Sequence, residues 1–540
     1  MPKITAAATL LTLTTLAACN SSSTDSAAGG AQSGSAAPSA TASATAAGAY
    51  HEPHRPQFHF SPPTNWMNDP NGLVYENGTY HLFYQYNPAK PVAGNIHWGH
   101  ATSPDLVHWQ PQPVAIAPDS LGLIFSGSAV LDSANTSGLG QPGKPAPLVA
   151  LYTGHSEAKE KAGRPDVENQ CLAYSLDHGQ TWQKYARNPV LKNQGSRDFR
   201  DPKVSWHPAQ RQWVMALSAH DHVEFYGSKN LTSWQKLSDF GRGLGAHGGV
   251  WECPDLVAVP DSTGMPHWVL IVNMNPGGPN GGSATQYFAG KFDGKTFTAT
   301  QPGTRWMDYG PDNYAGVTWT HLPAGTRPTL IGWMSNWEYG QQVPTSPWRS
   351  AMTVPRTLTL RPGPRAGELL LTSRPVDGLV GRLAEDFVSL PNVQVRGRYD
   401  LASHLKNPTG RYTLHFQVPQ AQTWAVELSN AKGERTLLGY DHAKKQYYLD
   451  RSHSGNVTFA PADKGFAKVA TAPRQSLRAS QEIGLVIDAA SLELFADGGR
   501  TCMTGIFFPS EPYTKLALQA ENMTLPVVEV MGMKSIWKQP

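Results

Sequence analysis

From about His54 to Arg374 the chain is a succession of short runs that either alternate between apolar and polar positions or are apolar throughout. Tyr80–Tyr86, Ser126–Leu131, Leu148–Tyr152, Gln170–Ser175, Gln212–Ser218, Trp268–Met274 and Thr329–Trp333 have strand length and strand period. Turn clusters such as Glu76-Asn77-Gly78, Asp177-His178-Gly179 and Asp293-Gly294 punctuate them. No long stretch carries helical periodicity. A degenerate repeat runs through the same region. Ser103-Pro-Asp-Leu-Val-His-Trp109 resembles Ser175-Leu-Asp-His-Gly-Gln-Thr-Trp182 and Ser228-Lys-Asn-Leu-Thr-Ser-Trp234, and Phe292-Asp-Gly-Lys-Thr-Phe297 is a looser copy. Each reads as a strand end, a polar turn and an aromatic that starts the next strand. Recurrence every ~50 to 75 residues suits four-stranded propeller blades, and roughly 300 residues allow about five of them.

The texture changes near Val376. New strands follow at Tyr412–Val418, Trp424–Leu428, Gln446–Asp450, Ile483–Asp488 and Leu492–Ala496, the last two forming a hairpin. The expected fold is therefore all-β, with a five-bladed β-propeller over 51–375 and a C-terminal β-sandwich over 376–540.

Composition narrows the function classes. The 540 residues carry a formal net charge of +3, and only 16% are charged. That leaves neither a basic stripe for nucleic acid nor an acidic tail. The 51 Gly and 44 Pro fit a turn-rich β protein, and 16 Trp are a weak hint of sugar stacking. Residues 1–19 read as an export signal: Lys3, an apolar Thr-rich segment from Ile4 to Leu16, then Leu16-Ala-Ala-Cys19. The apolar segment is too short to stay in a bilayer as a span. The small residues before Cys19 match a bacterial lipoprotein signal, with Cys19 the lipidated N-terminus; ordinary cleavage with loss of Cys19 is the alternative. Residues 20–50, nearly all Ser, Ala, Gly and Thr, read as a flexible tether. Membrane contact is expected only through Cys19. The remaining cysteines, Cys171, Cys253 and Cys502, are odd in number, so at least one stays unpaired.

Three acidic motifs lie in the propeller region: Trp66-Met-Asn-Asp-Pro-Asn-Gly72, Phe199-Arg-Asp-Pro202 and Trp251-Glu-Cys-Pro254. Each sets a carboxylate among aromatic and proline residues, where desolvation perturbs its pKa. One Asp-Pro alone is ordinarily a turn; three such motifs in one domain point to catalysis. No His cluster has metal-ligand spacing, and no cofactor is implied.

These motifs, in this order, resemble glycoside hydrolase family 32, the invertases, inulinases and levanases. Phe125-Ser-Gly-Ser128, Tyr447-Tyr-Leu-Asp-Arg451 and Ile487-Asp-Ala-Ala-Ser-Leu-Glu-Leu-Phe495 extend the resemblance over nearly all of the chain after the tether. It implies a five-bladed propeller joined to a sandwich, and a retaining hydrolase with Asp69 as nucleophile and Glu252 as acid/base. It further implies that Asp201 binds fructose hydroxyls and stabilises the transition state, and that Arg200 balances charge. The substrate contacts it implies are Trp66, Asn68, Gln85, Phe125, Ser126, Arg200 and, of the two tryptophans in Gly332-Trp-Met-Ser-Asn-Trp337, Trp337 before Trp333. Cys253 is either a tuner of Glu252 or a small buried residue. One position departs from the pattern: where family fructanases often carry a Trp before Gly-Asn, this chain has Ala93. The missing wall is either vacant or filled by Trp98, by Trp306 or by the Lys90–Ala93 loop. The substrate expected is fructan (levan or inulin), with sucrose as a further substrate. A sucrose-preferring invertase, a fructosyltransferase and a non-catalytic fructan-binding lipoprotein are the alternatives.

Overall fold

The structure is a computed structural model that describes residues 50–537 apart from position 302. The export signal, Cys19 and the tether up to position 49 lie outside the described residues. Twenty strands make five blades. The first contains Asn65–Glu76, Thr79–Asn87, His97–Ser103 and Gln110–Ile116, and the second Leu123–Leu131, Leu148–His155, Glu168–Ser175 and Gln183–Lys184. The third contains Phe199–His207, Gln212–Ala219, Val223–Ser228 and Gln235–Phe240, and the fourth Val250–Pro260, Pro266–Asn275, Ala284–Phe292 and Phe297–Ala299. The fifth is Tyr314–Thr318, Thr329–Trp333, Arg356–Pro362 and Leu369–Pro375. A two-residue strand, Trp348–Arg349, pairs in parallel with Asn65 and Trp66 and so joins the chain between two strands of the fifth blade to the first. Among the described residues helix is confined to short turns such as Glu157–Lys161, as the absence of helical periodicity predicts.

The repeat has a structural cause. Each copy is the turn between the third and fourth strands of a blade, in the first four blades. Asp105 Oδ1 accepts from the backbone N–H of Val107 and His108, Asn230 Oδ1 from Thr232 and Ser233, and Asp293 Oδ1 from Lys295 and Thr296. The Asx side chain thus satisfies the donors that the reversal would strand.

After the fifth blade, Ala384–Asp400 and Lys515–Met533 run antiparallel along one another. The second of these pairs with Trp424–Ser429 through its first part and with Tyr412–Val418 through its last. The ten-stranded sheet therefore folds over on itself around one apolar core containing Trp424, Phe416, Leu449 and Leu494.

The sandwich grips the segment that feeds the fifth blade. Tyr309 N donates to Cys502 O (2.9 Å), Thr504 N to Asp308 Oδ1 (2.9 Å) and Ile506 N to Asp312 Oδ2 (3.0 Å). A Cβ on Gly310 would sit 2.0 Å from Thr504 N, so only glycine permits this approach. Three buried cations at this contact are paired: Arg356 with Asp308 (2.8 Å) and Glu493, Arg451 with Asp312 (2.5 Å), and His59 between Asp488 and Glu493 (2.8 Å each). All of these groups are buried, where removing one partner strands the other.

Candidate active site

The innermost strand of every blade carries one residue of a shared site: Asp69, Ser126, Asp201, Glu252 and Tyr314, in blade order. At each of these places the strand bulges. Asn68-Asp69, Asp201-Pro202, Cys253-Pro254 and Ala315-Gly316 are two residues set against one on the neighbouring strand, and Ser126 is a single inserted residue. A bulge breaks the alternation and re-aims the side chains beside it, here towards the propeller axis. Asp201 (φ 67°), Cys253 (φ 42°) and Ala315 (φ 53°) take left-handed backbone, a conformation costly for non-glycine residues. Pro70, Pro202 and Pro254 fall where a ladder N–H is dispensable. The Asp-Pro and Cys-Pro signatures are the sequence trace of these bulges.

Asp69 is held on both oxygens. Asn68 Nδ2 donates to Oδ1 (3.0 Å) and Ser126 Oγ to Oδ2 (2.8 Å). The indole N–H of Trp66, which can only donate, fixes the Asn68 amide by binding its oxygen (2.7 Å). Burial, then the charge of Glu252, pushes the Asp69 carboxyl up to about 6 against the pull of those two donors. Asp201 Oδ2 accepts from the backbone N–H of Cys253 (2.9 Å), while its own N–H donates to Thr153 Oγ1 (3.0 Å). Burial raises Asp201 above the usual carboxylate range despite the adjacent Arg200. The Cys253 thiol lies 3.7 Å from Asp69 and 3.6 Å from Asp201 and is pushed up by burial, then by these carboxylates, so it stays a neutral weak donor between them.

Glu252 receives two kinds of donor. Arg200 reaches Oε1 through Nε (3.2 Å) and Nη2 (2.9 Å), and the Tyr314 hydroxyl donates to Oε2. Arg200 is in turn anchored by Asp198 (2.7 Å) and Glu168 (3.1 Å).

These groups line one cavity of about 640 Å³, which contains Asn68, Asp69, Gln85, Phe125, Ser126, Arg200, Asp201, Glu252 and Trp337. Gln85 Nε2 is tied to Ile124 O (2.9 Å), and Phe125 stacks on His155 with ring centroids 4.1 Å apart. Trp66 does not reach the cavity. It is wholly buried behind the wall, 5.8 Å from both Trp333 and Trp337, and acts through Asn68. Trp333 is likewise buried. The Lys203–Asp255 pair (3.0 Å) and Thr318 line a separate cavity. Sequence reasoning missed Tyr314, Glu168 and Asp198. Only Asp198 had a local signal, three residues before Asp201.

At the departure from the pattern, Ala93, Gly94 and Ile96 form the wall themselves, and neither Trp98 nor Trp306 lines the cavity. A Cβ on Gly94 would meet nothing within 4 Å, so there is room beside Ala93. Ala93→Trp is expected to lower KM for a short fructan about tenfold while kcat stays within about twofold, since an indole against the ring buries apolar area worth ~25 cal/mol per Å². Loss of activity in a folded variant would mean that the space is already used.

Elsewhere His222, Glu224 and Asp239 lie close enough to hold a metal ion. Lys236 already bridges Glu224 (2.6 Å) and Asp239 (2.8 Å), and Arg242 donates to His222 (2.7 Å), which makes the cluster a paired charge network.

The family model for the glycosyl hydrolases family 32 N-terminal domain matches residues 59–373, and that for the family 32 C-terminal domain matches 389–532. A levanase of Bacillus subtilis is 41% identical over 92% of the chain and 73% of its own length. An extracellular exo-inulinase of Aspergillus awamori is 41% identical over 91% of the chain and 97% of its own. The crystal structure of exo-inulinase from Aspergillus awamori superposes with a TM-score of 0.81, covering 90% of this chain and all of that one at 39% identity.

Proposed function

Because the chain belongs to glycosyl hydrolase family 32, we propose that it is a retaining, exo-acting β-fructosidase that releases terminal β-D-fructosyl units from fructans and from sucrose. The levanase and exo-inulinase relatives support the substrate class. The observation that carries the reading is the convergence of Asp69, Asp201 and Glu252 on one cavity.

In this mechanism the Asp69 carboxylate attacks the anomeric carbon of the fructosyl unit. Glu252 gives its proton to the departing glycosidic oxygen, and a fructosyl ester forms on Asp69. Glu252, now ionised, takes a proton from water, which attacks the same carbon and frees Asp69. Two inversions retain configuration. Asp201, held by the Cys253 N–H, is placed to bind ring hydroxyls, and Arg200 with Tyr314 orients Glu252. The test is release of fructose from levan, inulin and sucrose, with the anomer of the first product followed by NMR. Inverted configuration, or no release from any of the three, would overturn the reading.

Export and a lipid anchor at Cys19 complete the proposal. The extracellular naming of the exo-inulinase relatives supports export, and Leu16-Ala-Ala-Cys19 supports the anchor. Cys19→Ser is expected to move the enzyme from the membrane fraction to the soluble one. Stable anchoring requires more than one acyl chain. Recovery of the unaltered protein wholly in the soluble fraction would refute the anchor.

A further inference from the structure

We propose that the junction of propeller and sandwich carries an oxyanion site of the phosphate or sulfate class, built by Arg361 and Arg374 of the fifth blade and Arg478 and Arg500 of the sandwich. All four line one cavity of about 240 Å³, and none lines the candidate active site. The carboxylates on this cavity are too few for them. Glu482, half-exposed, takes one bond from Arg374 (2.9 Å). Asp497 is committed to a two-pronged bond from Arg474 (2.8 and 3.1 Å), so Arg500 reaches only its backbone carbonyl (3.1 Å). Among the described residues no carboxylate pairs with Arg361, Arg478 or Arg500, and the buried Nε of Arg361 has no acceptor at all.

Guanidinium groups gathered this way repel one another, and partial burial adds to the cost for Arg361 and Arg500. Arg361 and Arg500 are both held below the usual arginine value by burial first and by neighbouring arginines next. Arginine does not shed its proton to relieve such strain. A bound anion relieves it, and the planar forks match the oxygens of a phosphate or sulfate group. Gly498 (φ 73°) lies where a Cβ would come within 2.6 Å of Arg374 Nη2, so glycine lets that guanidinium rest against the turn. A neutral fructan chain offers this site no charge; a tetrahedral dianion bridging the two domains does.

The test uses the whole enzyme and thermal melts at matched ionic strength in chloride or inorganic phosphate. Phosphate is expected to raise the midpoint saturably, by a few °C at about 50 mM beyond chloride, because a ligand of the native state stabilises it by mass action. Arg361→Gln and Arg478→Gln each remove a repelling charge. Each should leave the midpoint in chloride unchanged or higher and abolish the phosphate increment. A soluble phosphodiester, glycerophosphoglycerol, distinguishes the sources: a rise with both compounds admits a lipid headgroup or a polymer diester, and a rise with phosphate alone restricts the site to the free ion. Equal midpoints in chloride and phosphate, or an increment that survives in both variants, would overturn the proposal.

Discussion

Asp69→Asn is expected to lower kcat on sucrose and on short fructans by about 10⁴-fold or more while making the folded protein more stable at neutral pH. The first effect follows from the proposed chemistry: an amide of the same shape still meets Ser126 but forms no ester with the fructosyl carbon. The second follows from the environment of the carboxyl. Burial and the Glu252 charge raise it from the ordinary 3.8 to about 6. Between those values the native state keeps a proton that the unfolded chain has released, so stability falls as pH rises through this window. Above it the wild type carries a buried, poorly compensated charge that the Asn variant lacks. Thermal midpoints should therefore differ by a few °C in favour of Asp69→Asn at pH 7 and converge at pH 4, where Asp69 is neutral in the native protein. A wild type that is the more stable protein at pH 7 would contradict this electrostatic picture. Activity remaining within tenfold would remove Asp69 from the nucleophile's place.

What could be read from the sequence depended on whether a residue's role leaves a local mark. The Ser-x-Asp-to-Trp copies could be read because each is a complete unit, an Asx turn closing on the aromatic of the next strand. The fifth blade escaped the repeat, since its corresponding turn, Gly363 to Glu368, closes differently: Gly363 N donates to Glu368 O and Arg365 N to Glu368 Oε2. Asp69, Asp201 and Glu252 could be read because the bulges that aim them use proline, whose placement is conspicuous. Tyr314 marks the other case. It sits on an inner strand whose bulge is built from Ala315 and Gly316, so nothing in its neighbourhood marks it, and its place beside Glu252 exists only once the ring of blades has closed. Glu168 likewise meets Arg200 from the next blade. Trp66 shows a motif residue whose part is indirect: it belongs to the signature because it orients Asn68.

Glu252→Gln is expected to separate the two chemical steps. On sucrose, whose leaving oxygen needs a proton, kcat should fall about 10³-fold or more. On an activated aryl fructoside, whose phenolate leaves unaided, the first step should lose far less, because the Gln amide oxygen still accepts from Arg200 while its NH2 donates to the Tyr314 hydroxyl oxygen. The second step then lacks its base, so the aryl product should appear as a burst followed by slow turnover. Azide, a nucleophile that needs no deprotonation, should restore turnover and yield the retained fructosyl azide. The pH profile supplies an independent reading. Wild-type kcat/KM should fall on the acid side as pH drops through about 6, where Asp69 takes up its proton and can no longer attack. Equal losses on the activated and natural substrates would mean that another group protonates the leaving oxygen.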